Sequence, residues 1–254
     1  MLHNKWLDIT SRWKNKWKLY LDEYKDDTNG LNLYTFIEIM NENMTDKETV
    51  VSDAGSAIYV PSQNLKMKEN QRFVLSGAQA DMGFAVPASI GVYLADPLKN
   101  VLVFTGDGSF NTNVQELATI RLLDAPVKIF VWNNNGYLSI RNTQKKFYQG
   151  RVYGTDKNCG LWFPDLKKIA ETYEFDFYYI SKNSELSNLA SEIINNDKPT
   201  IIEIICNPDQ EIVPTLMLKK DKITGNSIQC GLHDMYPFLD DEILKEEMID
   251  EEKY

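Results

Sequence analysis

Two short runs hold the residue types from which a site can be built: Gly106-Asp107-Gly108-Ser109 and Asn133-Asn134-Asn135-Gly136. The Asp107 carboxylate, the Asn134 amide oxygen and the backbone carbonyl of Gly136 are hard oxygen donors, the ligands that Mg²⁺ or Ca²⁺ prefers. The pattern between the runs predicts one strand-helix-strand crossover, so a parallel sheet would bring both loops to the same edge. Gly106 and Gly108 let the backbone approach a bound group closely. A helix expected to begin near Asn111 aims its N-terminus at the same place, which favours an anion. The combination predicts a site for a metal-bound phosphate.

The elements that must position these loops alternate along the chain. Short β-branched or apolar runs at 49–52, 72–75, 101–104, 127–132, 175–180 and 200–205 predict strands. Helical patterns at 86–94, 111–123, 165–173 and 184–194 fill most of the gaps. Such alternation predicts an α/β protein, a three-layer, doubly wound sheet of about six parallel strands. The unbroken apolar run Ile129-Phe130-Val131-Trp132 fits a strand buried on both faces. Three parts are expected: a helix and linker over 1–30, the main domain over 31–210, and an acidic extension over 211–254. Helical spacing puts Trp6, Trp13 and Trp17 on one face, either packed on the chain's own domain or open to a partner. The turn 26–30 follows them, and 239–253 reads as an acidic helical tail.

With 254 residues and 43% hydrophobic content, the chain can bury one large core. No apolar run approaches the ~18 residues of a membrane span. The first residues lack a signal peptide's apolar segment. Cys159, Cys206 and Cys230 are widely spaced and odd in number, which supports neither a disulfide framework nor a zinc site and points to the cytoplasm. A net charge of −10 argues against nucleic acid or an anionic membrane as partner. The two histidines, His3 and His233, lie near the ends, so a histidine-centred triad in the core is excluded.

With its Gly-Asp-Gly and spaced Asn pair, the chain resembles the thiamine diphosphate (ThDP) enzymes. Asn113-Val114-Gln115-Glu116-Leu117-Ala118-Thr119-Ile120 and Ala125-Pro126-Val127-Lys128 are similar to the acetolactate synthase branch of the 2-oxo acid group. So are Ser76-Gly77 and the run from Met82 to Gly91. The resemblance covers about residues 45 to 210 and implies the C-terminal, diphosphate-binding domain of those enzymes.

The resemblance implies ThDP and Mg²⁺ as cofactors. Asp107, Asn134 and the Gly136 carbonyl would hold the metal, and Gly106, Gly108 and Ser109 would meet the diphosphate, with Tyr137 and Leu138 alongside. Gly55 and Ser56 would form a second phosphate loop, although Ser56 and Ala57 replace the family's Gln-His pair. Met82 falls where the family props the cofactor in a bent shape, with the Ala80 carbonyl and Met82 N–H on the pyrimidine edge. Ile140 stands where pyruvate decarboxylases carry a proton-donating Glu. An apolar residue delivers no proton, so the resemblance implies decarboxylation of a 2-oxo acid such as pyruvate followed by ligation to an acceptor carbonyl. Ser139 and Thr143 replace larger residues of the biosynthetic enzymes, which implies a more polar acceptor. Arg141, Lys145, Lys146 and Arg151 read as a basic cluster, solvated or attracting an anionic substrate.

Full-length relatives of this type carry a pyrimidine-binding domain with an activating Glu, and a middle domain where FAD sits. Neither fits before residue 45, so a separate pyrimidine-binding subunit is expected, in a hetero-oligomer or homodimer, and FAD is not. The alternatives are a decarboxylase subunit that releases an aldehyde and a non-catalytic ThDP-fold protein.

Overall fold

The structure is a computed structural model and describes residues 2–221 and 224–248. In chain order the helices are α1 (Leu2–Lys16), α2 (Leu33–Asn43), α3 (Ser56–Asn64), α4 (Ala85–Ala95), α5 (Asp107–Thr112), α6 (Leu117–Leu122), α7 (Leu138–Phe147), α8 (Leu166–Tyr173), α9 (Asn183–Asn195) and α10 (Asp241–Glu247). The strands are β1 (Glu48–Ser52), β2 (Arg72–Leu75), β3 (Asn100–Gly106), β4 (Lys128–Asn133), β5 (Asp176–Ile180), β6 (Thr200–Ile205), β7 (Leu218–Lys220) and β8 (Ser227–Gln229). Two compact units result: Leu19–Gln210, and the residues up to Lys18 with those from Glu211 onward. Among the described residues no helix is long and apolar enough to cross a membrane.

The large unit is an α/β sandwich around a six-stranded sheet, in the order β2-β1-β3-β4-β6-β5, with every pairing parallel. Alternation along the central strands sorts the two faces. Val101, Val103, Ile129 and Val131 pack with Phe110, Leu117, Ile120 and Leu166 in an aliphatic core. On the other face Phe104, Phe130 and Trp132 surround Phe36 of α2, with ring centroids 5.2 to 5.5 Å from it. Burial on both faces is why these strands read as unbroken apolar runs.

Asn32 caps α2 by accepting the Tyr34 N–H at 2.9 Å, and Asp165 caps α8 through the Lys168 N–H at 3.1 Å. The single helix expected over 111–123 is instead α5, a 3₁₀ turn at Val114–Glu116 and α6. The break falls at Asn113, which leaves helical geometry and donates its amide to the Gly83 carbonyl at 2.9 Å. Residues 19–30 pack on the large unit, where Tyr24 stacks on Tyr34 with centroids 5.3 Å apart.

In the small unit, Glu247 of α10 accepts the Trp13 indole N–H and the Lys16 ammonium, each at 2.7 Å, and pairs with Arg12. Trp6 meets Trp13 edge-on at 6.1 Å, and Trp17 follows the last residue of α1. Strands β7 and β8 pair antiparallel. Of the tail expected over 239–253, residues 249–253 lie outside the described residues.

Lys128, at the start of β4, is buried, and its ammonium donates to the carbonyls of Pro126 at 2.7 Å and Lys198 at 2.8 Å. Burial pushes its pKa down to about 8, against the pull of Asp197 and Asp176. Between about pH 8 and 10.5 the unfolded chain therefore binds more protons than the folded one, and stability rises with pH there. At ~1.4 kcal/mol per pKa unit, the recovered stability is of the order of 1–3 kcal/mol. Denaturant titrations across this range should show that rise in the natural protein and a flatter profile in Lys128→Met.

Candidate functional site

The strand order reverses between β1 and β3. β2 lies outside β1 and β4 lies beyond β3, so the chain leaves the two strands in opposite directions. In open α/β sheets ligands bind in the crevice at the carboxyl ends of such strands. Here the loops after β1, β2, β3 and β4 meet at that edge around a cavity of about 250 Å³. The positions assigned to the cofactor and metal line it, as does Ile140: Gly55 and Ser56 from the first loop; Ala80 and Met82 from the second; Gly106, Asp107, Gly108 and Ser109 from the third; Asn134, Gly136, Tyr137, Leu138 and Ile140 from the fourth.

Asp107 joins the third and fourth loops. Its Oδ1 accepts the Gly108 N–H and its Oδ2 the Gly136 N–H, each at 2.8 Å. Burial pushes the carboxyl up to about 6, opposed by these two donors and by the charge of Arg141. A divalent cation on the remaining lone pairs would favour the ionised form. The Asn134 Oδ1 is buried and has no hydrogen-bond partner among the described residues. An orphaned amide acceptor beside a half-satisfied carboxylate is the donor set a hard cation takes up. The Gly136 carbonyl accepts the Leu138 N–H at 3.0 Å and keeps a second lone pair. These residues fit a divalent cation carrying a diphosphate.

Helix α5 begins at Asp107, four residues earlier than expected, so Gly108 and Ser109 stand in its first turn. Glycine at 108 has a second reason: a Cβ there would lie 2.3 Å from the Tyr137 ring. At Gly136, with φ of 119°, a Cβ would lie 2.0 Å from the Thr155 carbonyl, which also accepts the Tyr137 N–H at 2.9 Å. Thr155, fully buried, thus straps the Gly136–Tyr137 turn. Ala80 holds a left-handed φ of 52°, which L residues adopt at a cost.

Three supporting residues were not given their structural roles by the sequence. Asp53, 1% exposed, accepts the N–H groups of Ala54 at 2.8 Å, Gly83 at 2.9 Å and Ala85 at 3.2 Å, and the Thr105 hydroxyl at 3.1 Å. One carboxylate therefore pins the Met82 loop to the ends of β1 and β3. Nothing in the sequence separates it from an ordinary turn aspartate.

Arg141 does not belong to a solvated cluster or to an open pocket mouth. It is buried, and its guanidinium donates to the carbonyls of Asn134 at 3.0 Å, Asn135 at 3.2 Å and Pro208 at 2.7 Å. Only its position one helical turn beyond the loop hints at this role. For Thr155 there is no such hint. Lys145 pairs with Asp209 at 2.8 Å on the surface.

At the rim, Met82 is 39% and Ile140 47% exposed. Ser139 lines the cavity, whereas Thr143 lies a turn further along α7 and donates its hydroxyl to the Ser139 carbonyl at 3.0 Å. Asp107 is the only carboxylate among the described residues of this wall.

Residues 53–204 match the thiamine pyrophosphate enzymes, C-terminal TPP binding domain. The chain is 28% identical over 228 residues to the acetolactate synthase large subunit of Lactococcus lactis, covering 87% of this chain and 38% of the relative. It is 32% identical over 178 residues to a probable acetolactate synthase large subunit of Methanocaldococcus jannaschii, covering 69% and 30%. To the mitochondrial catalytic subunit of Aspergillus candidus it is 26% identical over 237 residues, covering 92% and 32%. The chain thus spans well under half the length of the curated relatives it matches.

Removing the Asp53 carboxylate leaves buried N–H and hydroxyl donors without acceptors, each costing about 1–3 kcal/mol. Asp53→Ala should therefore lower stability by roughly 2–4 kcal/mol in urea unfolding.

Proposed function

Since the chain belongs to the thiamine pyrophosphate enzyme family, matching its C-terminal TPP-binding domain, we propose that it holds Mg²⁺-ThDP in the cavity at the switch point. The observation that carries this reading is the pairing of Asp107 with the unpartnered Asn134 Oδ1 in one wall. Asp107, Asn134 and the Gly136 carbonyl would hold the metal. The backbone N–H groups near Gly55, Ser56, Gly108 and Ser109 would receive the diphosphate, with Met82 supporting the cofactor from the rim.

The cofactor, when bound, supplies an electron sink that lets a 2-oxo acid lose CO₂. What this chain adds is position and protonation control. Ile140 presents an apolar side chain where an acid would deliver a proton, which favours transfer of the two-carbon unit to an acceptor carbonyl over release of an aldehyde. Ser139 gives the wall a hydroxyl, which suits a polar acceptor. We read the activity as an acetolactate synthase-like carboligation, with pyruvate the first candidate donor.

The activating glutamate would come from a pyrimidine-binding domain on a separate chain. The exposed Met82 and Ile140 support this reading, because another protein surface would cover them.

Two experiments test these readings. Asp107→Ala should abolish calorimetric binding of Mg²⁺-ThDP while the circular dichroism spectrum is kept; unchanged affinity would overturn the cofactor assignment. With pyruvate and the pyrimidine-binding partner supplied, ligation product should exceed acetaldehyde. Ile140→Glu should raise the acetaldehyde share roughly tenfold. Acetaldehyde as the main product of the natural protein would make it a decarboxylase.

A further inference from the structure

Trp132 is 1% exposed, yet its indole Nε1–H has no hydrogen-bond partner among the described residues. The ring itself is well placed: it stacks on Phe104 with centroids 5.9 Å apart and meets Phe36 edge-on at 5.2 Å. Its position is fixed by packing, and only its polar atom is left over. A buried unpaired N–H is costly, so a native structure that keeps one calls for a partner.

Trp132 also lines the switch-point cavity. In the sheet it is the register partner of Gly106, so the two positions project to the same face. At Gly106 a Cβ would meet nothing within 4 Å. The missing side chain leaves free space at Gly106, which lines the cavity together with the indole. The same cavity is bordered by Gly55, Ser56 and Ala57 at the start of the nine-residue helix α3, whose first N–H groups attract an anion.

Indole nitrogen donates and cannot accept, so its partner is an acceptor and not a metal ion. The neighbouring orphan, the Asn134 Oδ1, has the opposite character and suits the cation. The two unpartnered atoms thus divide the roles of a metal-diphosphate group between them.

We propose that Trp132 binds the diphosphate, its Nε1–H donating to a phosphate oxygen at the floor of the cavity. This rests on the Mg²⁺-ThDP reading above and adds a side-chain donor to a cradle otherwise made of backbone N–H groups and serine hydroxyls.

The test uses the whole chain, labelled with ¹⁵N-tryptophan, and inorganic diphosphate with Mg²⁺ as the probe beside Mg²⁺-ThDP. The Nε1–H resonance missing from Trp132→Phe identifies the indole, and in the natural protein it should shift on adding either probe. Trp132→Phe keeps an aromatic ring against Phe104 and should weaken calorimetric affinity for both probes roughly tenfold. If the natural protein binds Mg²⁺-ThDP but the resonance stays in place, the Trp132 assignment is overturned and the cofactor reading stands. A Trp132→Phe protein that folds and binds both probes as tightly would overturn the assignment in the same way. If the natural protein binds neither probe, both readings fall. Should Trp132→Phe not fold, the resonance is assigned instead by elimination, from single substitutions of the other four tryptophans, and its shift on adding the probes still decides between the outcomes.

Discussion

Asp107 ties together two segments that strand pairing alone leaves apart, one carboxylate oxygen on the Gly108 N–H and the other on the Gly136 N–H. The loops after β3 and β4 are thereby locked to each other at the sheet edge. The Asn134 Oδ1, the Gly136 carbonyl and the first turn of α5 take their positions from that bridge. Burial raises the energy of the ionised carboxyl, and the two backbone donors offset only part of the cost. A group kept in that condition is receptive to a cation, because contact with positive charge would supply what the protein withholds.

Two further buried charges hold the surroundings of this bridge. Asp53 gathers donors from the loops after β1 and β2 and from the end of β3. Arg141 gathers carbonyls from the loop after β4 and from Pro208. Each makes several charge-assisted hydrogen bonds, the condition under which an ionised side chain is tolerated inside a protein. They act in opposite senses: the carboxylate collects N–H groups on one side of the crevice, and the guanidinium collects C=O groups on the other. Irregular loops thus acquire the rigidity that a preorganised site requires.

The sheet beneath supplies the remaining constraint. Its aliphatic face packs against α4, α6 and α8, while its aromatic face presses Phe104, Phe130 and Trp132 against Phe36 of α2. Rings this closely packed leave little freedom to the strand ends that launch the loops. The rim differs: Met82 and Ile140 are apolar and exposed, so the packing that fixes the floor of the cavity does not extend to its rim.

The succession of strands and helices and the meeting of two oxygen-donor loops were legible in the sequence, because both rest on local signals. Apolar runs of strand length, spaced by helices, dictate a parallel sheet, and a parallel sheet puts every strand's carboxyl end on one edge. Gly106-Asp107-Gly108 and Asn133-Asn134 stand at the ends of β3 and β4, so their juxtaposition needed no tertiary information. Helix α2 carries a helical signal, with Leu33, Phe36, Ile37 and Met40 one turn apart, but only packing decided that Tyr34, Thr35, Ile39 and Asn41 are buried as well. The break at Asn113 depends on the Gly83 carbonyl, thirty positions away, which no local pattern records. The roles of Asp53, Arg141 and Thr155 were likewise decided only in three dimensions. A charged residue on a turn or helix reads as solvated until folding surrounds it with backbone groups from distant segments, and it is those partners, not its own neighbours in sequence, that fix what it does.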